Sequence, residues 1–436
     1  MRAPQRLAVW AMFAMCVVPA FGQIGDFGGP SILSRGGARP GQRGGTPLDF
    51  TVFAGASGTI TTDPSGTLNG KDFYYGEALN FGVTGSHSWA KSFIGLDYLG
   101  SYHRYSGFSL GNGFEQSLAL IYDRQLSRRW VLNVRESAAV SKLALGGLAS
   151  YGFFTNDLIG VPVNNIFDSY AYSTQTSGSL SWQKSSRVTI GIFGDAFQVH
   201  RTSLALVGVR GYRAGASAGY KVARHDELTA SYSFVHFGFP RAFGASDMHG
   251  AQLGWNHQFN RYWSGTLAAG GYRVETLGTE NVTLDPEVAA ILGRNSGIRA
   301  VYRVSYAPSI AAVLNYRYQR QNFTLSANMG VSPGNGVYLT SRTNSANIGY
   351  SYSGFRRASL SANFGYAQYS SLFQQVGKYS SWLGGVGTGY RITDYMSLTA
   401  TFDIRQFQIT AGSHRIAETG SVGIAFAPYR VPIPAF

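Results

Sequence analysis

Residues 298–331 read IRAVYRVSYAPSIAAVLNYRYQRQNFTLSANMGV. Every second residue from Ile298 onward is apolar or aromatic, whereas the residues between them include three arginines and two serines. A polar segment, residues 319–322, interrupts this pattern, which resumes from Phe323 to Val331. Because successive side chains of a strand point to opposite faces, the stretch predicts a long antiparallel hairpin with one apolar face, one polar face and a four-residue turn.

The same alternation recurs along the chain, and short and long connections follow one another in turn. Eight tight turns are predicted, at residues 87–89, 127–130, 184–187, 224–226, 260–263, 319–322, 354–357 and 393–395. Nine longer connections are predicted, at residues 61–70, 108–113, 142–169, 200–207, 240–246, 276–297, 333–336, 371–377 and 411–414. These connections join about 18 strands, and the even number predicts that both termini face the periplasm.

The composition favours a membrane barrel over a soluble sheet. Of the 436 residues, 56 are glycine, 14% are aromatic and only 13% are charged, against about 25% charged residues in a typical soluble domain. After the first 22 residues there is no apolar run long enough for a transmembrane helix. The alternative that spans a lipid bilayer is an all-β, single transmembrane antiparallel β-barrel, which has no unpaired sheet edge.

Three segments are predicted along the chain. Residues 1–22 have a basic start and a short apolar run, and they end in a small-x-small site, which predicts a signal peptide that contains the single cysteine, Cys16. Residues 23–47 are rich in Gly, Arg and Pro and are predicted to form a disordered periplasmic leader. Residues 48–436 form the predicted barrel.

Tryptophan residues lie within or close to the predicted tight turns. Indole rings settle at the depth of lipid headgroups, because one side of the ring is apolar and the other carries an N–H donor. Arginine and lysine residues accompany them in the sequence. We therefore predict an aromatic and basic girdle at one membrane face, formed by Trp89, Trp130, Trp182, Trp255 and Trp263.

On these patterns the chain resembles bacterial outer-membrane β-barrel proteins of porin-like size, over residues 48–430. The resemblance implies a location in the cell outer membrane, contacts with its lipid and with lipopolysaccharide, and insertion by the barrel assembly machinery, which reads an aromatic final strand. The last strand is predicted at residues 416–426, and the prolines that follow are expected to prevent any strand from continuing to Phe436.

The polar face of the strands is predicted to line the lumen. It is rich in Ser, Thr, Asn, Gln and Gly, and its charged residues are mostly positive. The candidate pore-lining charges are Arg135, Arg213, Lys221, Arg299, Arg303, Arg317, Arg391, Arg405, Asp97, Asp123 and Asp403. Rings of basic side chains favour anions, although the same arginines could instead pair with the acids or with lipopolysaccharide phosphates.

No set of catalytic residues emerges from the sequence. It lacks a Gly-x-Ser-x-Gly elbow and a His-Glu-x-x-His pair. His103 and Ser101 share the predicted inner face of one strand, which is more typical of a pore wall than of a nucleophile and its base. We therefore predict no enzymatic activity, no cofactor, no metal site and no nucleic-acid partner.

The predicted function is an outer-membrane channel for passive diffusion of small polar solutes, with a mild preference for anions. The connections at residues 142–169 and 276–297 are the candidates to constrict the pore, and residues 286–292 of the second are predicted to form a short helix. Two alternatives remain open at this stage: an export conduit or surface anchor for an anionic polysaccharide, and a non-conducting structural or adhesive barrel.

Overall fold

The structure, a computed structural model, is a closed antiparallel β-barrel of 18 long strands, and the residues that it describes also include one short strand and one short helix. It describes residues 48–62, 73–107, 112–141, 170–203, 206–333, 339–372, 378–408, 414–427 and 431–433. The predicted fold class and strand number are confirmed. The predicted signal peptide and leader, residues 1–47, lie outside the described residues, as does the whole connection at residues 142–169.

The strands follow the chain around the barrel, each pairing with its sequence neighbours. They are β1 (Leu48–Thr61), β2 (Tyr74–Ser88), β3 (Ser92–Tyr105), β4 (Gly113–Gln125), β5 (Trp130–Ser141), β6 (Ala171–Gln183), β7 (Val188–Arg201), β8 (Val209–Lys221), β9 (Asp226–Gly238), β10 (Ala245–Gln258), β11 (Trp263–Thr283), β12 (Ser296–Tyr318), β13 (Gln321–Ser332), β14 (Ser341–Tyr352), β15 (Ala358–Ser371), β16 (Tyr379–Arg391), β17 (Met396–Gln408), β18 (His414–Phe426) and β19 (Val431–Ile433). The helix is α1 (Pro286–Leu292).

All eight predicted tight turns join strands at one end of the barrel, which we call the turn end. The nine longer connections lie at the opposite end, which we call the loop end. The barrel closes where β18 pairs with β1, from Ala54 opposite Phe426 to Thr61 opposite Thr419.

The last long strand ends at Phe426, as predicted, but a short strand that the sequence did not predict, β19, follows it. The short strand β19 continues along the same edge of β1, with Pro432 opposite Asp49. Among the described residues β19 pairs only with β1, so one side of this strand is an edge. Proline is tolerated there because an edge strand has no ladder on one side that needs its missing N–H group.

The hairpin that decides the fold is confirmed, but its turn is shorter than predicted. Tyr318 pairs with Gln321 and Arg317 pairs with Asn322, so only Gln319 and Arg320 form the connection. Gln319 has φ of 45°. A two-residue hairpin loop requires such a left-handed backbone to match the twist of its strands, and the polar composition of this segment concealed how tight the turn is.

The neighbouring hairpin, β11–β12, projects beyond the other strands at the loop end. β10 ends its pairing with β11 at Leu277, whereas β11 and β12 pair as far as Thr283 opposite Ser296. The connection is therefore shorter than the predicted residues 276–297, because residues 276–283 and 296–297 belong to the two strands. The helix predicted at residues 286–292 is confirmed as α1, which begins with a proline in its first turn.

The two faces of the barrel wall differ as the alternation predicts. Large apolar side chains point outward and are well exposed, for example Leu253 (71%), Val386 (57%) and Phe402 (48%). The residues that alternate with them point into the lumen and include most of the buried serines and threonines. A closed ladder with an apolar exterior satisfies every backbone group without water, which is the condition for crossing a membrane. Within the described part of the chain, no helix is long and apolar enough to span a bilayer.

Candidate functional site: the lumen of the barrel

The lumen is the candidate site, because the polar faces of all 18 long strands converge on it. The strand register places each of the charged residues predicted to line the pore on the lumen side of its strand. On the wall within the barrel lie Arg135, Arg213, Lys221, Arg317, Arg391, Arg405, Asp97, Asp123 and Asp403. Their role in lining a conducting pore stays a prediction.

Arg299 and Arg303 lie at the loop end of β12, on the lumen-side face of the projecting hairpin. Arg303 pairs with Thr276, which lies at the level of the last residues of β10. Arg299 pairs with Glu280, beyond the last residue of β11 that pairs with β10. The two arginines therefore stand at and above the rim of the barrel, and neither can narrow the pore deeper in the lumen.

One ion pair in the lumen wall has a carboxylate that is almost completely shielded from solvent. Arg213 Nε donates to Asp195 Oδ2 over 2.6 Å, and the Asp195 side chain is only 2% exposed. The Arg213 guanidinium also lies over the ring of Phe193, 5.4 Å from its centroid. Gly215 provides the space for that ring, since a Cβ atom there would come within 2.4 Å of Phe193. An inward aromatic on β7 is thus accommodated by a glycine on β8.

Replacing Arg213 with methionine is expected to lower the free energy of unfolding, because it leaves a desolvated carboxylate at Asp195. Breaking a buried ion pair costs about 3–5 kcal/mol, and the loss here should lie toward the lower end because the Arg213 side chain is 28% exposed. Urea unfolding in micelles, followed by tryptophan fluorescence, measures this change. The double variant Asp195→Asn/Arg213→Met should recover most of it, and equal losses in both variants would contradict the expectation.

Other lumen charges are also matched by neighbours across the ladder. Asp97 lies within electrostatic range of Arg135, and Asn133 donates to Asp123 over 2.7 Å. Lys221 pairs in register with Glu227 at the turn end. The sequence prediction did not include the inward acids Asp195, Glu115 and Glu227, although Glu115 has the same strand parity as Asp123, which it did include.

The lumen wall is not polar throughout. Toward the loop end of β7–β13 it carries a buried apolar cluster that includes Phe197, Val235, Phe237, Met248 and Val274. The largest of these is fully buried, with Phe237 at 0% exposure. The sequence signal was a local loss of alternation, where apolar residues occupy both faces of a strand. This part of the lumen is therefore packed like a protein core.

The β13–β14 hairpin folds inward over this apolar cluster. β13 pairs with β12 only as far as Met329 opposite Ile310, while it stays paired with β14 up to Ser332. We call residues 330–333 and 339–342 the inward arm. In the arm, Val331 is 5% exposed and packs in the apolar cluster.

Hydrogen bonds fix the inward arm to strands that are not its neighbours in the sheet. The Thr340 hydroxyl lies 2.8 Å from that of Ser246 on β10, and Ser246 lies 3.1 Å from the hydroxyl of Thr276 on β11. Both partners point into the lumen, and β12 separates them from β13 in the sheet. The arm must therefore cross the lumen side of β12, which narrows the mouth at the loop end.

Of the two connections predicted to constrict the pore, the one at residues 276–297 does not enter the mouth of the barrel. Helix α1 stands at the end of the projecting hairpin, and its Ile291 is 83% exposed, so it does not pack into the mouth. The other candidate, residues 142–169, lies outside the described residues. The inward arm was not predicted, because no local feature of its sequence distinguishes a hairpin that folds across the lumen from one that continues in line with the barrel wall.

The connections at the turn end form a rim of almost exclusively positive charge. The residues between the strands at this end include one acid, Asp394, and many exposed basic residues, while Asp226 and Glu227 stand at the adjoining start of β9. We call these basic residues the turn rim: Lys91, Arg128, Arg129, Lys184, Arg187, Arg224, Arg261, Arg320, Arg356 and Arg357. Their fields add at the mouth of the barrel, because few carboxylates lie near enough to cancel them.

The tryptophans of the predicted girdle lie beside this rim. The rings of Trp130 and Trp182 stack on the outer wall with centroids 5.8 Å apart. Trp255 donates to Asp226 over 3.0 Å, Trp263 packs on Tyr316, and Trp89 is 52% exposed next to its turn. These positions fit the depth at which indoles meet lipid headgroups, and their contact with lipid remains a prediction.

His103 and Ser101 come close together in the lumen, but not in a catalytic arrangement. His103 Nε2 lies 3.1 Å from Ser101 Oγ and 4.0 Å from Glu115 Oε2. A nucleophile–base–acid relay uses both imidazole nitrogens, one toward the nucleophile and the other toward the acid. Here both contacts meet the same nitrogen, so this geometry does not form such a relay.

No protein-family model and no curated protein sequence matches this chain. The chain is similar in structure to OccK5 (OpdH) of Pseudomonas aeruginosa, at 11% identity and a TM-score of 0.43, over 89% of this chain and 100% of that one. It is also similar to Acinetobacter baumannii OccAB4, at 10% identity and a TM-score of 0.43, over 89% and 100%. For the ferric citrate transporter FecA the values are 12% and 0.44, over 88% of this chain and 64% of that chain.

These similarities are loose, and the fold rests on the strand ladder of this chain itself. That ladder closes on itself, its exterior is apolar and its interior is largely polar. Such a sheet has no edge to satisfy in lipid, and this architecture belongs to the outer membrane. The molecule therefore has the fold of a closed transmembrane β-barrel.

Proposed function

We propose that this protein is a passive channel through which small polar solutes cross the outer membrane, with a preference for anions. The observation that carries the proposal is the polar inner face of a closed 18-stranded barrel. Along β6, for example, Ser173, Gln175, Ser177 and Ser179 succeed one another on the lumen side. Hydroxyl and amide groups of this kind can replace part of the water around a passing solute without holding it tightly.

The inward arm supports selectivity by size. It reduces the open cross-section at the loop end, while the rest of the lumen keeps its polar lining. The channel therefore resembles a wide tube with one narrow mouth, which suits solutes much smaller than the barrel diameter. Conductance of the purified protein in a planar bilayer tests this function directly: discrete conductance steps are expected, and their complete absence would favour the non-conducting barrel.

The turn rim supports the anion preference. In barrels of this kind the short turns face the periplasm, which would place the rim at the periplasmic mouth. The acids inside the lumen mostly have a basic or amide neighbour, so the unbalanced positive charge lies in the turns. Lumen arginines such as Arg317 and Arg391, also close to that end, add to it.

Removing charge from the turn rim is expected to shift ion selectivity toward cations. The test replaces Arg128, Arg129, Arg356 and Arg357 with serine and measures reversal potentials in a salt gradient. The shift should be largest at low salt, because the Debye length falls from about 10 Å at 0.1 M to about 3 Å at 1 M. The control is Arg299→Ser/Arg303→Ser at the other mouth; a larger shift in the control, or no shift in either variant, would contradict the proposed origin.

The same basic rim favours a second candidate, a conduit that exports an anionic polysaccharide. A polyanion would be drawn to a ring of like-signed charge more strongly than a small anion. The two functions differ in blockade: a soluble acidic polysaccharide added at the turn end should interrupt ion current if it threads the lumen. Current that is unaffected by the polymer while small anions still pass would favour the diffusion channel.

A further inference from the structure

The outer wall of the barrel contains a groove that the channel function does not use. It lies on β9–β12 and has a volume of about 550 Å³. Small residues form its floor in one cross-strand row, where Ala251 pairs with Gly271 and Gly271 pairs with Pro308. The aromatic rings of Tyr232 and Tyr306 form its sides, and both are more than half exposed.

The groove changes character along the direction of the strands. Below the small-residue row lies an apolar row that contains Leu253 and Ile310. Above it, toward the loop end, the outward residues of β10 and β11 are His249, Arg273 and Glu275. The groove is therefore apolar toward the middle of the membrane and polar toward the loop end, which matches the polarity of a lipid molecule.

The polar end lies at the depth of lipid headgroups. Arg273 is ten residues from Trp263, which stands beside the turn end. With a rise of about 3.3 Å per residue and a strand tilt of about 40°, this separation is roughly 25 Å, the height of the apolar band of such barrels. Trp382 on β16, nine residues from the turn end of its strand, lies at a similar height and packs on Tyr366 with ring centroids 4.4 Å apart. The groove therefore opens at the membrane interface of the loop end.

The polar groups at this end form a cluster of mixed sign. Arg273 forms an ion pair with Glu275, and the Tyr302 hydroxyl donates to the same carboxylate. Asp247 contacts His236 over 2.6 Å, and Tyr232 contacts His249 over 2.7 Å. A bare phosphate would meet two carboxylates as well as the arginine. Sugar hydroxyls both donate and accept hydrogen bonds, so they fit this cluster better, and the two tyrosine rings offer faces for the C–H surface of a sugar.

We propose that this groove binds a glycolipid of the outer leaflet, with its saccharide headgroup on the polar cluster and one acyl chain along the apolar floor. The occupant is a lipid because the floor is apolar and faces the bilayer, and its headgroup is a saccharide because the polar cluster offers both hydrogen-bond donors and acceptors and contains two carboxylates that would repel a bare phosphate. It depends on the loop end facing outward, but it does not depend on solute transport. Its failure would leave the proposed channel untouched.

Retention of defined lipids by the purified full-length barrel tests the proposal. The probes are lipid A, which has a phosphorylated disaccharide headgroup, and phosphatidylglycerol, which has acyl chains and a phosphate but no sugar. Native mass spectrometry of the detergent-solubilised protein should show one lipid A retained per barrel, at least about tenfold more strongly than phosphatidylglycerol. Equal retention of the two lipids would overturn the saccharide assignment.

Filling the groove provides the decisive variant. Gly271→Leu is expected to abolish lipid A retention, and space exists for it because the nearest atom to a Cβ there is the Ala307 carbonyl oxygen at 3.5 Å. Gly58→Leu is the matched control, since Gly58 faces outward on β1 with nothing within 4 Å of a Cβ. A second variant, Tyr306→Ser, alters a residue that is 78% exposed and should leave folding intact. Unchanged retention in folded Gly271→Leu, or equal loss in the control, would overturn the site.

Discussion

Replacing Phe402 with arginine is expected to block assembly of the barrel. Phe402 lies at the middle of β17, six residues from each end, and its side chain is 48% exposed on the lipid face. A cation at the midplane of the lipid face costs about 2–4 kcal/mol, and the loss of the ring's apolar contact with lipid adds to that. The variant should lack the heat-modifiable folded band on gels, and the outer-membrane fraction should contain little of it.

The neighbouring residue supplies the control for that experiment. Thr401 points into the lumen, where its hydroxyl lies 2.7 Å from that of Ser421. Thr401→Arg places the same charge at the same depth but in the water-filled interior, so folding should be retained. Phe402→Leu, which keeps an apolar side chain, should fold as well. If Thr401→Arg and Phe402→Arg assembled equally well, the two faces of β17 would be assigned wrongly.

Releasing the inward arm is expected to open the mouth of the channel. Val331→Asp would place a carboxylate in an apolar cluster where the native side chain is 5% exposed. An unpaired buried charge costs several kcal/mol, and the arm can avoid this cost by leaving the cluster. Single-channel conductance should then rise clearly above that of the parent protein, with the heat-modifiable band retained because the barrel ladder is unchanged.

An engineered disulfide that holds the arm in place should reverse the effect of Val331→Asp on conductance. The only cysteine, Cys16, lies in the predicted signal peptide, so engineered cysteines would have no competing thiol after cleavage. In Ser246→Cys/Thr340→Cys the two sulfurs replace hydroxyl oxygens 2.8 Å apart, which is compatible with a bridge. Adding these cysteines to Val331→Asp should return conductance to the parent level when oxidised and raise it when reduced. If conductance changes neither with Val331→Asp nor with oxidation of the engineered cysteines, the arm does not limit the current.

The sequence by itself determined the barrel. Strict alternation over many segments, as in residues 298–331, specifies which face of each strand meets lipid, because a shift of one residue would exchange the two faces. The alternation of short and long connections specified the strand number and which connections share an end. Even the short helix at residues 286–292 was predictable, since a proline in the first turn and an apolar run are local signals.

Only the tertiary structure decided what occupies the lumen. The ion pair of Asp195 with Arg213, the packing of Val331 and the contact of Thr340 with Ser246 join residues from different strands, and no local pattern reports them. A strand pattern says that a side chain points inward, but not whether it meets water, a partner or an arm that crosses from elsewhere. The barrel follows from a repeat of two residues, whereas the shape of its interior depends on contacts between residues far apart in the sequence, such as Ser246 and Thr340, which are 94 positions apart.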